Sequence, residues 1–227
     1  MSKAKPKRRA TAAPLSRERI MQTALRLADE GGLDNISMRK LAQALGVEAM
    51  SLYNHVSNKD EVLDGIADLV VSEIEVPEIG GDWRLELRKR AISAHAVLRG
   101  HPWSPLVIAS RINVGPAMLR YINATLGCMR EAGFSYELAD RAWNALDSHI
   151  YGFTLLELNF PLDPSEYVSA ASQFVHLLPQ ETHPYMRELT QLVIDGKHRG
   201  IQSFEFGLDL LLSGLEQLRR AEAGSHG

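Results

Sequence analysis

The sequence is almost without cysteine: Cys128 is the single one in 227 residues. One thiol excludes an internal disulfide framework and suits a reducing cytoplasm. No apolar run approaches the roughly 20 residues that a membrane span needs, so no membrane partner is expected. The basic opening Met1-Ser-Lys-Ala-Lys-Pro-Lys-Arg-Arg9 has no apolar stretch behind it and does not read as a secretory signal. Strand-like alternation does not run for any useful length, and no internal repeat occurs. Also missing are the spacings that carry chemistry: His-Glu-x-x-His, Cys-x-x-Cys, Gly-x-Ser-x-Gly, a phosphate-cradling glycine loop with lysine, and the dinucleotide fingerprint. Asp147 and His149 are two apart on a predicted helix and point away from each other. No enzyme, cofactor or metal site is expected.

Net positive charge is lacking too, at −3 overall, which taken alone argues against a nucleic-acid partner. The distribution argues the other way. Residues 1–59 hold 11 Lys/Arg against 5 Asp/Glu, a surplus of 6 positive charges, whereas residues 60–227 hold 14 against 23, a deficit of 9. A basic head on an acidic body steers one end toward polyanions and keeps the other off them, although basic arms are also often plain solvated tails.

What is present is helical periodicity. Residues 1–14 show none and are expected to form a disordered basic arm. Ser16 is an N-cap candidate with Glu18 in the first turn. Ile20, Ala24, Leu27 and Ala28 then recur at helical spacing until Gly31-Gly32. A second helix begins near Ser37, buries Leu41, Ala42 and Leu45, and stops at Gly46. A third runs from Ala49 to about His55 with Leu52 and Val56 inward. Asn58-Lys-Asp-Glu61 is a capping-box pattern for a fourth helix, with Val62, Leu63, Ile66, Leu69 and Val70 apolar toward Pro77. Further helices are expected at roughly 83–99, 105–110, 115–132, 136–158, 164–177, 184–195 and 200–220, separated by proline and glycine breakers. The fold class is all-α. The expected organisation is a helix-turn-helix domain over 15–62, a larger helical-bundle body over 63–220, and a disordered tail from 221.

The segment Ser37-Met-Arg-Lys-Leu-Ala-Gln-Ala-Leu-Gly-Val-Glu-Ala-Met-Ser-Leu-Tyr-Asn-His-Val56 carries the sharpest signal. Two short helices about a tight turn present the second helix to a DNA major groove. Ala42 is small where the helices cross, and Gly46 supplies the positive φ of the turn. Val47 and Leu52 pin the second helix, leaving Glu48, Ala49, Met50, Ser51, Tyr53, Asn54 and His55 outward. Such a unit can also serve protein contacts alone.

Thr23-Ala through Leu27, Gly31-Gly32, Ser37-Met-Arg-Lys-Leu-Ala, Leu45-Gly-Val, Ser51-Leu-Tyr-Asn-His-Val and Asn58-Lys-Asp-Glu61-Val-Leu closely resemble the DNA-binding domain of the TetR family. The resemblance implies a ligand-responsive repressor that binds double-stranded operator DNA as a homodimer. Arg39 resembles the family's position for a base or phosphate contact. Ser37 and Met38 share that helix N-terminus, where backbone N–H groups favour phosphate. Ala49, Met50 and Ser51 fall at the base-facing start of the recognition helix, the first two able to offer only apolar contact, for instance to thymine methyls. Tyr53 and His55 match backbone-clamping positions, and Lys59 matches a phosphate-binding lysine. Asn54 replaces an aromatic found in some relatives.

The last predicted helix, Phe204-Glu-Phe-Gly-Leu-Asp-Leu-Leu-Leu-Ser-Gly-Leu-Glu-Gln-Leu218, is apolar on several sides. Phe204, Leu208, Leu211 and Leu215 form one stripe, with Phe206, Leu210 and Leu212 elsewhere around it. Gly207 and Gly214, seven apart, would let a partner helix approach. With helix 136–158 this suggests a two-fold four-helix interface, the alternative being a monomeric bundle core. This region and Ala132-Gly-Phe-Ser-Tyr-Glu-Leu-Ala resemble the C-terminal domain of the tetracycline-repressor subgroup. By that resemblance Glu75 falls where a drug-contacting His is expected and Ile108 where a metal-ligating His would be, so a tetracycline–Mg²⁺ effector is not expected. Trp103, Met118, Tyr121, Trp143, His149 and Phe153, with Ile122 and Leu156 beside them, are the candidate lining for a small hydrophobic or amphipathic effector. Aromatics at helical spacing serve equally as core. A DNA-binding dimer without a ligand therefore stays open.

Overall fold

The structure, a computed structural model, describes residues 14–112, 114–198 and 203–225. Every regular element among them is helical: α1 (Arg17–Gly31), α2 (Met38–Leu45), α3 (Ala49–Leu52), α4 (Lys59–Ser72), α5 (Trp83–Gly100), α6 (Ser104–Ala109), α7 (Pro116–Glu131), α8 (Tyr136–Leu158), α9 (Tyr167–Phe174), α10 (Pro184–Ile194) and α11 (Phe204–Ser225). The fold is all-α, as the periodicity predicts. No described helix is long and apolar enough to cross a membrane. The predicted basic arm, residues 1–14, lies outside the described residues save for its last position.

The predicted caps at Ser16 and Asn58 form, and Ser37 caps α2 in the same way. Ser16 Oγ accepts from the Arg19 N–H at 3.2 Å, Ser37 Oγ from Lys40 N–H at 3.2 Å, and Asn58 Oδ1 from Glu61 N–H at 2.9 Å. Each satisfies one donor that the first helical turn leaves orphaned. The reciprocal bond of the last cap is displaced by one residue: Glu61 Oε2 accepts from Ser57 N–H at 2.7 Å. That backbone bond, with a second bond from the same serine and the nearby Arg17, holds the Glu61 carboxyl below its ordinary value.

Four boundaries differ from the sequence expectation. α3 is one turn long; Tyr53–His55 close as a turn, with His55 and Val56 N–H both donating to the Leu52 carbonyl. α4 stops at Ser72, whose hydroxyl donates to the Leu69 carbonyl at 2.6 Å and competes with helix propagation. The expected helix 164–177 is divided into a 3-10 turn Pro164–Glu166 under an Asp163–Glu166 capping box, then α9, then a second 3-10 turn. α11 continues through the expected tail to Ser225.

The chain divides into two compact units, the first comprising the described residues of Met1–Glu73 with Gly100–Leu119, the second Ile74–Arg99 with Arg120–Gly227. The first unit is thus larger than the expected 15–62 head. Its core gathers Ile20, Met21, Ala24, Leu25 and Ala28 of α1, Leu41, Ala42 and Leu45 of α2, Leu52, Val56, and Val62, Ile66 and Val70 of α4. Leu25 takes the buried place expected of Leu27, which is half-buried. Gly115 precedes α7 because a Cβ there would stand 2.2 Å from Asp68 Oδ1. The Asp68 carboxylate in turn accepts from the Ala117 and Met118 N–H groups at 3.2 and 2.9 Å, capping α7. Arg111 closes the same side, its Nε donating to Asp64 at 2.5 Å and its Nη1 to Asp60 at 3.2 Å.

His101 is the first unit's pH-sensitive link. Its ring nitrogens meet Asp29 at the end of α1 (2.7 Å) and Glu73 at the end of α4 (3.4 Å). Burial disfavours the imidazolium, but the bonds and charges of Asp29 and then Glu73 outweigh it and raise the pKa above 6.5. A raised folded-state pKa gives stability that is fully present below the unfolded value and is lost as pH rises through the folded one. The melting temperature difference between wild type and His101→Gln should therefore be largest below pH 6.5 and shrink above it. A difference independent of pH would remove the ion pair from the account.

In the second unit α5 buries Leu87, Arg90, Ala91, Ala94 and Leu98, while α8 packs along α11. Trp83 meets Phe134 edge-on at 4.9 Å. Cys128 is buried, and removal from water pushes its thiol up to about 11, aided by the charges of Glu86 and Asp82.

Candidate nucleic-acid interface

Three features build the presented face. Gly46 turns the chain between α2 and α3 at φ 69°, ψ 35°, the left-handed conformation that glycine adopts without penalty. Leu52, fully buried, anchors α3 from its inner side. Met50 and Tyr53 then stand outward at 75% and 47% exposure. Of the sequence-derived contact residues, Arg39, Met50, Tyr53, Asn54 and Lys59 are exposed, and Ser37, Met38, Ala49, Ser51 and His55 are half-buried. Ser37 Oγ accepts the α2 cap bond, and its O–H can still donate. The neighbouring Lys40 is tied back to the Asp34 carbonyl (3.1 Å) and Asn35 Oδ1 (2.9 Å), which leaves Arg39 as the outward cation of that turn.

The six residues proposed for an effector fall in both units. Trp103 and Met118 belong to the first unit, both buried; the Trp103 indole N–H donates to Asp29 at 2.8 Å. Tyr121 and Trp143 meet in the second unit around a buried ion pair. Arg90 is fully buried and bonds Asp147 Oδ1, while the Trp143 indole N–H donates to Asp147 Oδ2 at 2.6 Å. The Arg90 guanidinium carbon lies 4.5 Å from the Tyr121 ring centre. His149 and Phe153 meet in a separate aromatic cluster: His149 stacks on Phe204 at 4.9 Å and lies 5.7 Å from Phe153, with His95 on Phe204 at 4.2 Å. His149 Nε2 also bonds the Phe204 carbonyl at 2.9 Å, and His95 bonds Glu157 at 2.7 Å.

Arg90 and Asp147 escaped the sequence reading. The signal was available: Arg90 interrupts the apolar series Leu87, Ala91, Ala94, Leu98, and a cation on a helix's buried stripe needs a buried partner. Trp143 and Asp147, four apart on α8, share a face.

Comparison with known proteins matches this arrangement to one family along nearly the whole chain. Residues 20–66 match the signature of bacterial regulatory proteins of the tetR family, and residues 76–219 that of the tetracyclin repressor-like C-terminal domain. The chain is similar to the HTH-type transcriptional repressor DrrR1 of Streptomyces coeruleorubidus, at 31% identity over 92% of this chain and 81% of that protein. It is likewise similar to the class D tetracycline repressor of Escherichia coli, at 32% identity over 90% of each. Among solved structures, the Streptomyces coelicolor TetR family protein ActR in complex with actinorhodin superposes with a TM-score of 0.78, at 30% identity over 89% of this chain and 96% of that one. The chain belongs to the TetR family of transcriptional regulators.

Proposed function

We propose that this regulator binds a pseudo-palindromic operator as a homodimer and releases it when a small hydrophobic or amphipathic molecule, other than a tetracycline–Mg²⁺ chelate, enters its C-terminal region. The observation that carries the DNA reading is α3: a single turn held by Leu52 behind the left-handed Gly46, with Met50 turned outward. A dimer would set two such helices about one DNA turn apart, ~34–36 Å. Support for the dimer comes from α11, which buries Phe204, Leu208, Leu212 and Leu215 but leaves Phe206, Leu210 and Leu218 exposed. Leu210, Gly214 and Leu218 line a groove of about 600 Å³ with Leu138, Ala142 and Ala145 of α8. Gly214 meets nothing within 4 Å, whereas Gly207 is filled by its own chain, a Cβ there standing 2.4 Å from His149. Of these two glycines, Gly214 is therefore the one open to a partner helix. The relatives named for tetracycline and the neighbour holding actinorhodin support an effector in this family. Ile108, where the resemblance puts a metal-ligating histidine, is a buried apolar residue and argues against the chelate. An effector acts only through unequal affinity for the DNA-bound and free arrangements.

A gel shift of the purified protein on DNA flanking its own gene, repeated with a small-molecule library, tests the reading. A specific shift relieved by one compound class is expected; specific binding that none relieves would remove the sensor. Lys59, exposed at the start of α4, adds a second prediction. Lys59→Ala should weaken binding to all sequences alike and lower the salt slope by about one per half-site. An unchanged slope would take Lys59 off the phosphate backbone.

A further inference from the structure

Five of the six surplus positive charges of residues 1–59 sit in residues 1–13, as Lys3, Lys5, Lys7, Arg8 and Arg9, with no acid among them. That segment lies outside the described residues and joins the first unit at the exposed Pro14, three positions before α1. Beside the junction is a groove of about 750 Å³ built from the first unit alone. Its walls are apolar: Met21 of α1, Leu69 of α4, and Ile112 and Val114 between α6 and α7. Ile112 and Val114 are 91% and 70% exposed, so that wall faces solvent. The groove is also acidic, with Glu18, Glu61, Asp64 and Asp68 against Arg17 among the described residues that line it. Glu61 holds Arg17 at 3.1 Å, Asp64 holds Arg111, and Asp68 caps α7. Glu18 is exposed, and no described residue pairs with it.

We propose that in the DNA-free protein residues 1–13 lie along this groove of their own subunit, their cations held by its carboxylates until nucleic acid displaces them. The chemistry suits both parts of the groove. Lysine and arginine lay their aliphatic stems on apolar surface and carry their charge beyond it, as an apolar wall under a row of carboxylates requires. Length suits it too. From Glu61 to Leu69 the groove follows about 12 Å of α4, and the chain from Arg9 to Arg17 spans about 26–29 Å when extended. Exposed ion pairs are individually weak. Attachment at the rim offsets this, because a short tether supplies an effective concentration on the order of millimolar. A duplex carries one anion per about 1.7 Å of its axis and outcompetes the groove once the helix-turn-helix engages it. Residues 14–59 have a surplus of only one positive charge. The segment therefore dominates the head's sequence-independent attraction to polyanions, and docking it weakens stray contacts without touching α3.

The test is a nitroxide carried at Ala10→Cys of the full-length protein, read by its broadening of methyl signals. Without DNA and at low salt, Ile112 and Val114 should be broadened. Raising salt to about 0.5 M, which screens exposed charges, should restore them, and so should Glu18→Lys. This readout needs neither operator nor effector, so it stands or falls apart from the sensor reading. Affinity for a non-specific duplex is the second readout. Glu18→Lys frees the segment for DNA but also adds positive charge, so its gain is compared in two backgrounds. One is the native segment; the other carries Lys3→Gln, Lys5→Gln, Lys7→Gln, Arg8→Gln and Arg9→Gln together. The gain should be roughly fivefold larger with the native segment, the coupling of about one exposed ion pair. No broadening at low salt, broadening that salt and Glu18→Lys leave unchanged, broadening only between subunits of a mixed dimer, or equal gains in the two backgrounds overturns the proposal.

Discussion

Asp147→Ala is expected to destabilise the protein by about 3–5 kcal/mol, the cost of leaving one member of a buried ion pair without its partner. The magnitude follows from asymmetry of burial. Arg90 is fully covered, so its charge cannot turn to water when Asp147 is removed, and the Trp143 indole loses its acceptor at the same time. Replacing both charges, by Arg90→Met with Asp147→Leu, should be near neutral or stabilising, because the pair contributes little net stability once its desolvation is counted. Urea unfolding of the wild type, the single variant and the double variant measures both. A single variant that loses less than about 1 kcal/mol would show that Arg90 reaches water or another anion in solution.

Leu52→Ala should cost about 2–5 kcal/mol and abolish specific operator binding. Leu52 is fully buried, and the helix it belongs to is four residues long. A single turn has no helical stability of its own; nucleation is unfavourable and only tertiary packing holds it. Removing the anchor therefore frays α3 as well as opening a cavity, and Met50, Ser51 and Tyr53 lose their common orientation. Met50→Ala changes the same face without touching the core, so it should leave the unfolding free energy within about 0.5 kcal/mol of wild type. Comparing the two separates loss of the platform from loss of a contact. Specific binding by a folded Leu52→Ala protein would place the recognition surface elsewhere.

The sequence is most legible where structure is decided locally. Ser16 and Asn58 cap the helices they were expected to cap, because a side-chain oxygen three residues before an orphan N–H needs nothing from the rest of the molecule. Gly46 is the same kind of case: a turn that demands positive φ writes itself as glycine. Legibility falls where a distant residue decides. Leu25 and Leu27 both suit a helix, and only packing within the first unit settles that Leu25 is the buried one. Arg90 and Asp147 are 57 positions apart: the apolar series around Arg90 calls for a buried partner, and nothing in the spacing says that the partner is Asp147. The six aromatic and sulfur-bearing candidates separated into two units for the same reason: helical spacing specifies a face, and it does not say which faces meet.

Cys128 makes the protein convenient for spectroscopy. Its thiol is both covered and held mostly protonated, so at neutral pH it offers maleimide reagents little nucleophile. A cysteine placed at the exposed Met50 would be the site such a reagent finds, with no need to remove the native one. If the protein dimerises as proposed, one fluorophore or spin label per subunit at that position would report the distance between the two α3 helices directly, with and without a candidate effector.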